Sequence, residues 1–333
     1  MDRLLQRVST TTGCDVDRVV RADGTEVAIK RARDEAAAAH LASQTRHLRA
    51  MSAHLGVASI YPPIIEATAS TLVLPWYRRG TLEDQFATQP RADAEAVVRV
   101  AADALFRVAA GGRELPDPAR APAFLADELV RRARRLRLAL ETADGQRFAA
   151  HETEVARALD ALERWVARSD GFRAIGLPAL GLCAHGDFGL DNALVRDDGQ
   201  PLFIDVRGEA VWHRDLPWWD PLLDLATLLV YHCRIEPQIR AICDDVGAAR
   251  LDSSKRVSEP ELRRLCVQTD GFGLWAADDD TWEPRLELAM LVRLLGSVST
   301  QLTATPRHQT ERATAVWRLA VAQLAAVKAV LGG

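Results

Sequence analysis

The stretch that most constrains the fold of this chain runs from His185 to Asp205. His185, Asp187 and Asn192 have the spacing H-x-D-x-x-x-x-N, and Asp205 follows a short apolar segment. The polar sequence 196–200 separates two short apolar segments, which is typical of a β-hairpin turn. We therefore predict a hairpin that brings the side chains of Asn192 and Asp205 together.

Two oxygen-bearing side chains at such a point suit phosphoryl transfer. Mg²⁺ that bridges nucleotide phosphates takes hard oxygen ligands from one or two side chains, and Asn192 and Asp205 are predicted to supply them. The reaction also needs a carboxylate that accepts the proton of the attacking hydroxyl, and Asp187 is placed for this role. His185 is expected to orient the loop rather than to react. The alternative is an ordinary polar turn whose His and Asp satisfy backbone groups.

The order of these motifs resembles that of the small-molecule kinases of the aminoglycoside phosphotransferase and choline kinase type, relatives of the protein kinases. Their catalytic loop reads H-G-D-x-x-x-x-N, as residues 185–192 do, and their metal aspartate stands in an Ile-Asp pair, as Asp205 does. An Asp-Pro-x-x-Asp-Leu-Ala segment follows at 220–226. The resemblance implies ATP (or GTP) and Mg²⁺ as cofactors and a small hydroxylated molecule as acceptor.

The resemblance also implies the fold class: α+β, a bilobal protein kinase-like fold with a small β-rich N-lobe and a larger, mostly helical C-lobe. We place the N-lobe at residues 1–78 and the C-lobe at 79–333. A tight turn at 22–25 precedes the strand 26–30, which matches the kinase V-A-I-K strand whose lysine, here Lys30, contacts the α- and β-phosphates. A solvated edge charge is the ordinary interpretation of such a lysine, and the catalytic loop downstream favours the functional one. A hydroxyl-rich turn is predicted to cover the phosphates, with Ser9, Thr10, Thr11 and Thr12.

A helix predicted over 34–54 follows this strand. In kinases this helix supplies a glutamate that holds the lysine, but the family's E-x-x-x-L-x-x-L pattern places Gln44 at that position. Glu35 is the one glutamate of the helix, nine residues earlier and roughly 13 Å away along the axis. Gln44 is the favoured partner of Lys30, and Glu35 is the alternative. By the same resemblance, Leu74 and Trp76 mark the hinge where adenine contacts the main chain.

Residues beyond Asp205 are expected to meet the acceptor, because indoles stack on sugar rings and arginines bind anionic groups. The predicted acceptor contacts are Arg207, Trp212, Arg214, Asp215 and Trp218. Anchoring of the loop to the core is the alternative for Trp218 and its neighbour. Asp220 is expected to tie the catalytic loop in place, and Asp224 to start the next helix. The leading acceptor class is a sugar or a sugar-containing natural product such as an aminoglycoside or a nucleoside antibiotic.

Further patterns predict the other elements. Strands are predicted at 61–65 and 70–74, helices at 92–110, 121–140, 149–166, 224–232 and 282–295, and a loop at 271–273. The acidic cluster 278–283 suits the start of the last of these helices better than recognition of a cationic acceptor.

Composition and motif content bear on the other functional classes that the chain could belong to. A formal net charge of -4 and a pI of about 6.1 argue against a nucleic-acid partner. No uninterrupted apolar run approaches roughly 18 residues, so no membrane partner and a cytoplasmic location are expected. A protein kinase would carry Arg in place of Gly186 together with Asp-Phe-Gly and Ala-Pro-Glu segments. A catalytically weak or inactive nucleotide-binding protein is favoured by Gln44 alone, and the oligomeric state is not predicted.

Overall fold

The computed structural model describes most of the chain. The described residues are 2–9, 13–52, 60–111, 123–141, 149–168, 181–182, 185–207, 218–242, 257–277, 279–303 and 309–331. Several residues with predicted roles lie outside these ranges, namely Thr10, Thr11, Thr12, Trp212, Arg214 and Asp215.

A five-stranded antiparallel sheet with the order β1-β2-β3-β5-β4 forms the N-terminal part. Its strands are β1 Arg3–Ser9, β2 Cys14–Val20, β3 Glu26–Ala32, β4 Glu66–Ala67 and β5 Thr71–Pro75. Val27 and Ile29 are buried on one face of β3 together with Val73 of β5. Because successive side chains of a strand point to opposite faces, Lys30 is directed to the other face, where it is 6% exposed.

The strand predicted at 61–65 is wrong in position. The structure has the two-residue strand β4 at Glu66–Ala67 instead, paired with β5. Pro62 and Pro63 lack the backbone N–H that a ladder needs, so pairing begins only after them.

Helix α1, Glu35–Ser52, follows β3 and packs against the sheet. Its start is fixed by Asp34, whose Oδ1 accepts the N–H of Ala37 at 2.8 Å. Leu41, Leu48 and Met51 are buried on the face that meets the core. The predicted helix 34–54 is confirmed within the described residues.

Helices dominate the rest of the chain. They are α2 Leu82–Thr88, α3 Arg91–Gly111, α4 Ala123–Leu140, α5 Ala149–Arg168, α6 Leu222–Leu228, α7 Glu236–Ile242, α8 Glu259–Val267, α9 Asp270–Trp275, α10 Trp282–Thr303 and α11 Gln309–Val330, with a π-helical segment Leu229–Ile235 between α6 and α7. Their apolar faces build the main core, to which the hairpin after the catalytic loop also contributes. The predicted α+β fold class is confirmed.

Helix α2 was not predicted, and helix α9 replaces a predicted loop. Helix α2 begins with a capping box in which the side chains of Thr81 and Asp84 satisfy each other's backbone N–H groups. Helix α9 covers 271–273, so the predicted loop there is wrong. Gly271 permits close approach to α3 rather than a turn, since a Cβ at this position would collide with the carbonyl oxygen of Asp103.

Asp279 of the acidic cluster bonds to residues at the start of α10, in agreement with the interpretation that the sequence favours. Asp279 accepts hydrogen bonds from the backbone and hydroxyl of Thr281 at 3.1 and 2.8 Å. It also pairs with the guanidinium of Arg285, which is fully buried.

Among the described helices, one contains a segment, Thr310–Val330, that is long and apolar enough to cross a membrane by length and composition. The segment lies within α11, which packs against α10 and buries Val316 and Ala320. Core helices pass the same test, so the absence of a membrane partner stays a prediction.

Candidate active site

The predicted hairpin is confirmed. Strands β7, Ala193–Val195, and β8, Pro201–Phe203, pair antiparallel, with Ala193 opposite Phe203. The N–H of Ile204 donates to the carbonyl of Asn192 at 2.9 Å. Asn192 and the residue after Ile204, Asp205, are therefore held next to each other.

The catalytic loop has a backbone shape that requires Gly186, whose φ of +85° is rarely adopted by residues with a side chain. His185 is fully buried beneath it. The N–H of Asp187 donates to Nδ1 of His185 at 3.1 Å, so the imidazole proton lies on Nε2, which faces the carbonyl of Asn192 at 3.4 Å. His185 thus joins the two ends of the loop, in agreement with its predicted orienting role.

Asp224 ties the catalytic loop to the helical region. Its carboxylate accepts the N–H of His185 at 3.2 Å and that of Gly186 at 2.7 Å. Burial raises the pKa of Asp224, and the positive charge of Arg293 opposes this effect.

The roles expected for Asp220 and Asp224 are therefore exchanged, and the prediction is corrected. Asp220 Oδ1 accepts the N–H of Leu222 at the start of α6, and Oδ2 accepts from Arg285 Nε at 2.7 Å. Both residues are aspartates near one helix start, and only packing decides which carboxylate faces the loop. Asp220 faces the buried Arg285 instead.

Asp187, the predicted base, is held by Arg207. The guanidinium donates twice to Asp187 Oδ2, from Nε at 2.9 Å and from Nη2 at 2.6 Å. Burial opposes ionisation of Asp187, but the charges of Arg207 and Arg293 outweigh it and hold the pKa below its usual value. The predicted acceptor contact Arg207 therefore lies at the base itself, and the backbone N–H of Arg207 also donates to His185 O at 2.8 Å.

Asp205 and Lys30 connect the catalytic region to the sheet. Lys30 Nζ lies 2.6 Å from Asp205 Oδ1. Burial opposes ionisation of Asp205, but the Lys30 ammonium holds the pKa of the carboxyl below its usual value. Asp205 has φ +56°, a left-handed conformation that is uncommon for a residue with a side chain and is frequent at functional sites.

Asn192 and Asp205 fit a Mg²⁺ ion by their donor chemistry. The Asn192 amide nitrogen donates to the backbone carbonyl of Asp187 at 3.0 Å, which directs its Oδ1 elsewhere. Within the described ranges, no group of three or more His, Cys, Asp or Glu side chains could hold a metal. One carboxylate with one amide oxygen is what Mg²⁺ uses when phosphates complete its shell.

The structure places Gln44 rather than Glu35 against Lys30. Gln44 Oε1 accepts from Lys30 Nζ at 3.3 Å, and Gln44 is 2% exposed. Glu35 stands in the first turn of α1. The amide nitrogen of Gln44 lies 3.0 Å from Nε2 of His40, a residue that the sequence did not single out.

At the predicted hinge, Leu74 pairs with Ala28 in the sheet. Its position two residues after Leu72, the partner of Lys30, puts the Leu74 side chain on the same face as the lysine. The N–H of Trp76 donates to Glu26 O at 3.1 Å, and its ring lies under Arg18. That N–H is thus already used, and the adenine contacts stay a prediction.

Two further predicted residues lie at strand ends. Ser9 ends β1, and Trp218 begins β9, Trp218–Trp219, which pairs with β6, Gly181–Leu182. The backbone pairing of Trp218 ties its segment to the strand just before the catalytic loop. The contacts predicted for Ser9 and Trp218 remain predictions.

Sequence reasoning missed Arg293 of α10. Its Nη2 donates to Gly186 O at 3.0 Å and its Nε to Leu223 O at 3.2 Å, so it clamps the catalytic loop from the helical side. A single arginine in a long amphipathic helix gives no sequence signal for this role.

The fold and the site together define the class of protein to which the chain belongs. A β-sheet that carries the buried Lys30 stands opposite a loop with Asp187 and a hairpin that holds Asn192 beside Asp205, and this arrangement is typical of a kinase. The chain belongs to the phosphotransferase enzyme family, whose model matches residues 11–264. It is an enzyme that transfers a phosphoryl group to a hydroxyl of a small molecule.

Solved structures of small-molecule kinases share this fold. The match to a choline kinase from Cryptosporidium parvum has a TM-score of 0.60 at 10% identity and covers 98% of this chain and 90% of the choline kinase chain. The match to an ethanolamine kinase from Plasmodium vivax has a TM-score of 0.59 at 11% identity and covers 96% of this chain and 82% of the ethanolamine kinase chain. The match to a macrolide 2'-phosphotransferase from Brachybacterium faecium has a TM-score of 0.50 at 16% identity and covers 94% of this chain and 91% of the phosphotransferase chain. These identities establish the fold alone, and no curated protein matches the chain in sequence.

Proposed function

We propose that this chain is an ATP-dependent, Mg²⁺-requiring O-phosphotransferase whose acceptor is a sugar or a sugar-containing natural product, such as an aminoglycoside or a nucleoside antibiotic. The observation that carries the proposal is the convergence of four side chains. The Asn192 amide is bonded to the backbone of Asp187, and the ammonium of Lys30 is bonded to Asp205. Because the hairpin also holds Asn192 next to Asp205, the base, the metal pair and the phosphate-binding lysine form one connected site.

Asp187 is prepared to accept a proton at neutral pH. Both hydrogen bonds from Arg207 go to Oδ2, and among the described residues no side chain or backbone group donates to Oδ1. Oδ1 is then the atom that would accept the proton of the acceptor hydroxyl, while Arg207 keeps the carboxylate ionised and in one orientation. Removal of that proton makes the hydroxyl oxygen a better nucleophile towards the γ-phosphate.

Lys30 would bind the phosphates, and Asn192 and Asp205 would hold the metal. Mg²⁺, when bound, neutralises charge on the transferring phosphoryl group. In the present structure Asp205 is paired with Lys30, so nucleotide binding would require the ammonium to be shared between Asp205 and the phosphates.

An acceptor screen tests the proposal. The purified chain is incubated with ATP and Mg²⁺ and a panel of sugars, amino sugars, aminoglycosides and nucleosides, and ADP release is compared with that of Asp187→Asn. We expect release that depends on one acceptor class and on Asp187, with the phosphate position assigned by ³¹P NMR. ADP release that no hydroxylated acceptor raises above background hydrolysis would contradict the proposal.

A further inference from the structure

A continuous hydrogen-bonded chain leads from Lys30 into helix α1. The Lys30 ammonium donates to Gln44 Oε1 at 3.3 Å, and Gln44 Nε2 lies 3.0 Å from Nε2 of His40, one turn earlier. Lys30 and Gln44 are 6% and 2% exposed, so water cannot readily replace a bond that is lost between them.

The two ends of the Gln44 amide differ in chemistry but hardly in shape. The ammonium of Lys30 only donates, so it requires the oxygen end. The nitrogen end only donates, so its contact with His40 requires an imidazole nitrogen with a lone pair at Nε2. The observed arrangement is therefore complete when His40 is neutral and its proton lies on Nδ1.

The surroundings of His40 favour this neutral form. Burial lowers the pKa of His40, and the positive charges of Arg207 and Lys30 lower it further. The negative charges of Asp205 and Asp187 oppose them, and the net direction is downward. His40 is half-buried on the side of α1 that faces the active site.

We propose that His40 is a positioning residue whose neutral imidazole accepts the Gln44 amide N–H and thereby fixes the Gln44 carbonyl towards Lys30. This inference rests on the proposed function, in which Lys30 binds the nucleotide phosphates. Without an acceptor at residue 40, the amide can turn and present its NH₂ group to the ammonium. Two donors then face each other, and Lys30 loses a partner that aims it at the phosphates.

Glutamate at residue 44 would remove the need for His40. The two oxygens of a carboxylate are equivalent acceptors, and the bond to an ammonium is charge-assisted. The requirement for a lone pair at residue 40 therefore follows from the presence of an amide at residue 44. It predicts coupling between the two positions that a merely structural role of His40 would not produce.

Calorimetric titration with Mg²⁺-ATP tests this coupling. His40→Ala should raise the Kd for ATP about 3- to 10-fold, the range expected for one hydrogen bond. His40→Gln, which restores an acceptor at the same reach, should stay within about 2-fold of wild type. Arg49→Ala, an exposed change in the same helix, is the matched control. In a Gln44→Glu background, His40→Ala should change Kd less than about 2-fold.

Kinetics and NMR separate the possible outcomes. His40→Ala should raise KM for ATP more than it lowers kcat, because the change acts on phosphate binding. An unchanged Kd, or an equal loss in both backgrounds, would overturn the proposal. If wild type binds no ATP, the proposed function fails, and ¹⁵N NMR of the apo protein still tests the inference. A His40 Nε2 that carries a proton at neutral pH would contradict it.

Discussion

Lys30 and the catalytic loop are held in place by different numbers of hydrogen bonds from neighbouring helices. The lysine is held within its own lobe by a neutral amide, Gln44. The loop is held by the buried carboxylate of Asp224 and by Arg293, both bonded to its backbone. Each of these bonds has one charged partner, but the loop has three of them at 2.7 to 3.2 Å against the single bond of 3.3 Å at Gln44, and a buried charge that loses its partner is costly. The loop is therefore rigidly placed, and the lysine anchor is the more adjustable side of the site.

The largest effect is expected at the base. Asp187→Asn should lower turnover by about 10² to 10⁴, the usual contribution of general acid–base catalysis. ATP affinity should change little, because the base acts on the acceptor. Turnover and calorimetric ATP affinity are measured side by side, with Asp197→Asn in the hairpin turn as control. Near-normal turnover at saturating substrates would remove Asp187 from this role.

The loop anchor should affect both stability and activity. Asp224→Ala leaves the N–H groups of His185 and Gly186 without an acceptor, which should lower the free energy of unfolding by about 2 to 5 kcal/mol. Denaturant titration by circular dichroism measures the loss. Activity of the folded fraction should fall at least about 10-fold, because the loop shifts. A variant with unchanged stability would show that the two anchors do not differ as proposed.

Arg207 should set the pH range of the reaction. In wild type, Arg207 helps to hold the pKa of Asp187 below its usual value. Without that charge the carboxylate binds a proton at higher pH, so the acidic limb of the kcat/KM profile should move to higher pH in Arg207→Gln. Arg196→Gln in the hairpin turn serves as control. An unshifted limb would mean that the titrating group is not Asp187.

The smallest effect is expected on the lysine side. Gln44→Glu should preserve ATP affinity or improve it by up to about 10-fold, because both partners of the bond to Lys30 are then charged. Glu35→Ala should change affinity by less than about 2-fold, since Glu35 lies in the first turn, away from Gln44. A large loss of affinity in Glu35→Ala would show that the residue that holds Lys30 lies in the first turn of α1 instead.

Local sequence patterns predicted the structure correctly where residues close together in the chain determine it. The hairpin follows from the turn 196–200 between two apolar segments, and it alone brings Asn192 and Asp205 together. Lys30 and Asp205 are far apart in the chain, so no local pattern marks their contact, and it was not predicted. Their ion pair is now seen directly.

Other features depend on side-chain direction, which packing determines. The exchange of roles between Asp220 and Asp224 is such a case, because both spacings are compatible with a helix start. Arg293 and His40 were missed for the same reason, since each acts through a contact across or along a helix that no motif marks. The short helix α9 was missed because its glycines imitate a loop, although one of them serves close packing against α3.

The central claim is that Asp205 serves the metal and the nucleotide while Asp187 serves the acceptor. Titration of wild type, Asp187→Asn and Asp205→Ala with ATP, with and without Mg²⁺, tests it directly. We expect Mg²⁺-dependent binding in wild type and in Asp187→Asn, and its loss in Asp205→Ala. Unchanged Mg²⁺-dependent binding in Asp205→Ala would contradict the account and place the metal site elsewhere.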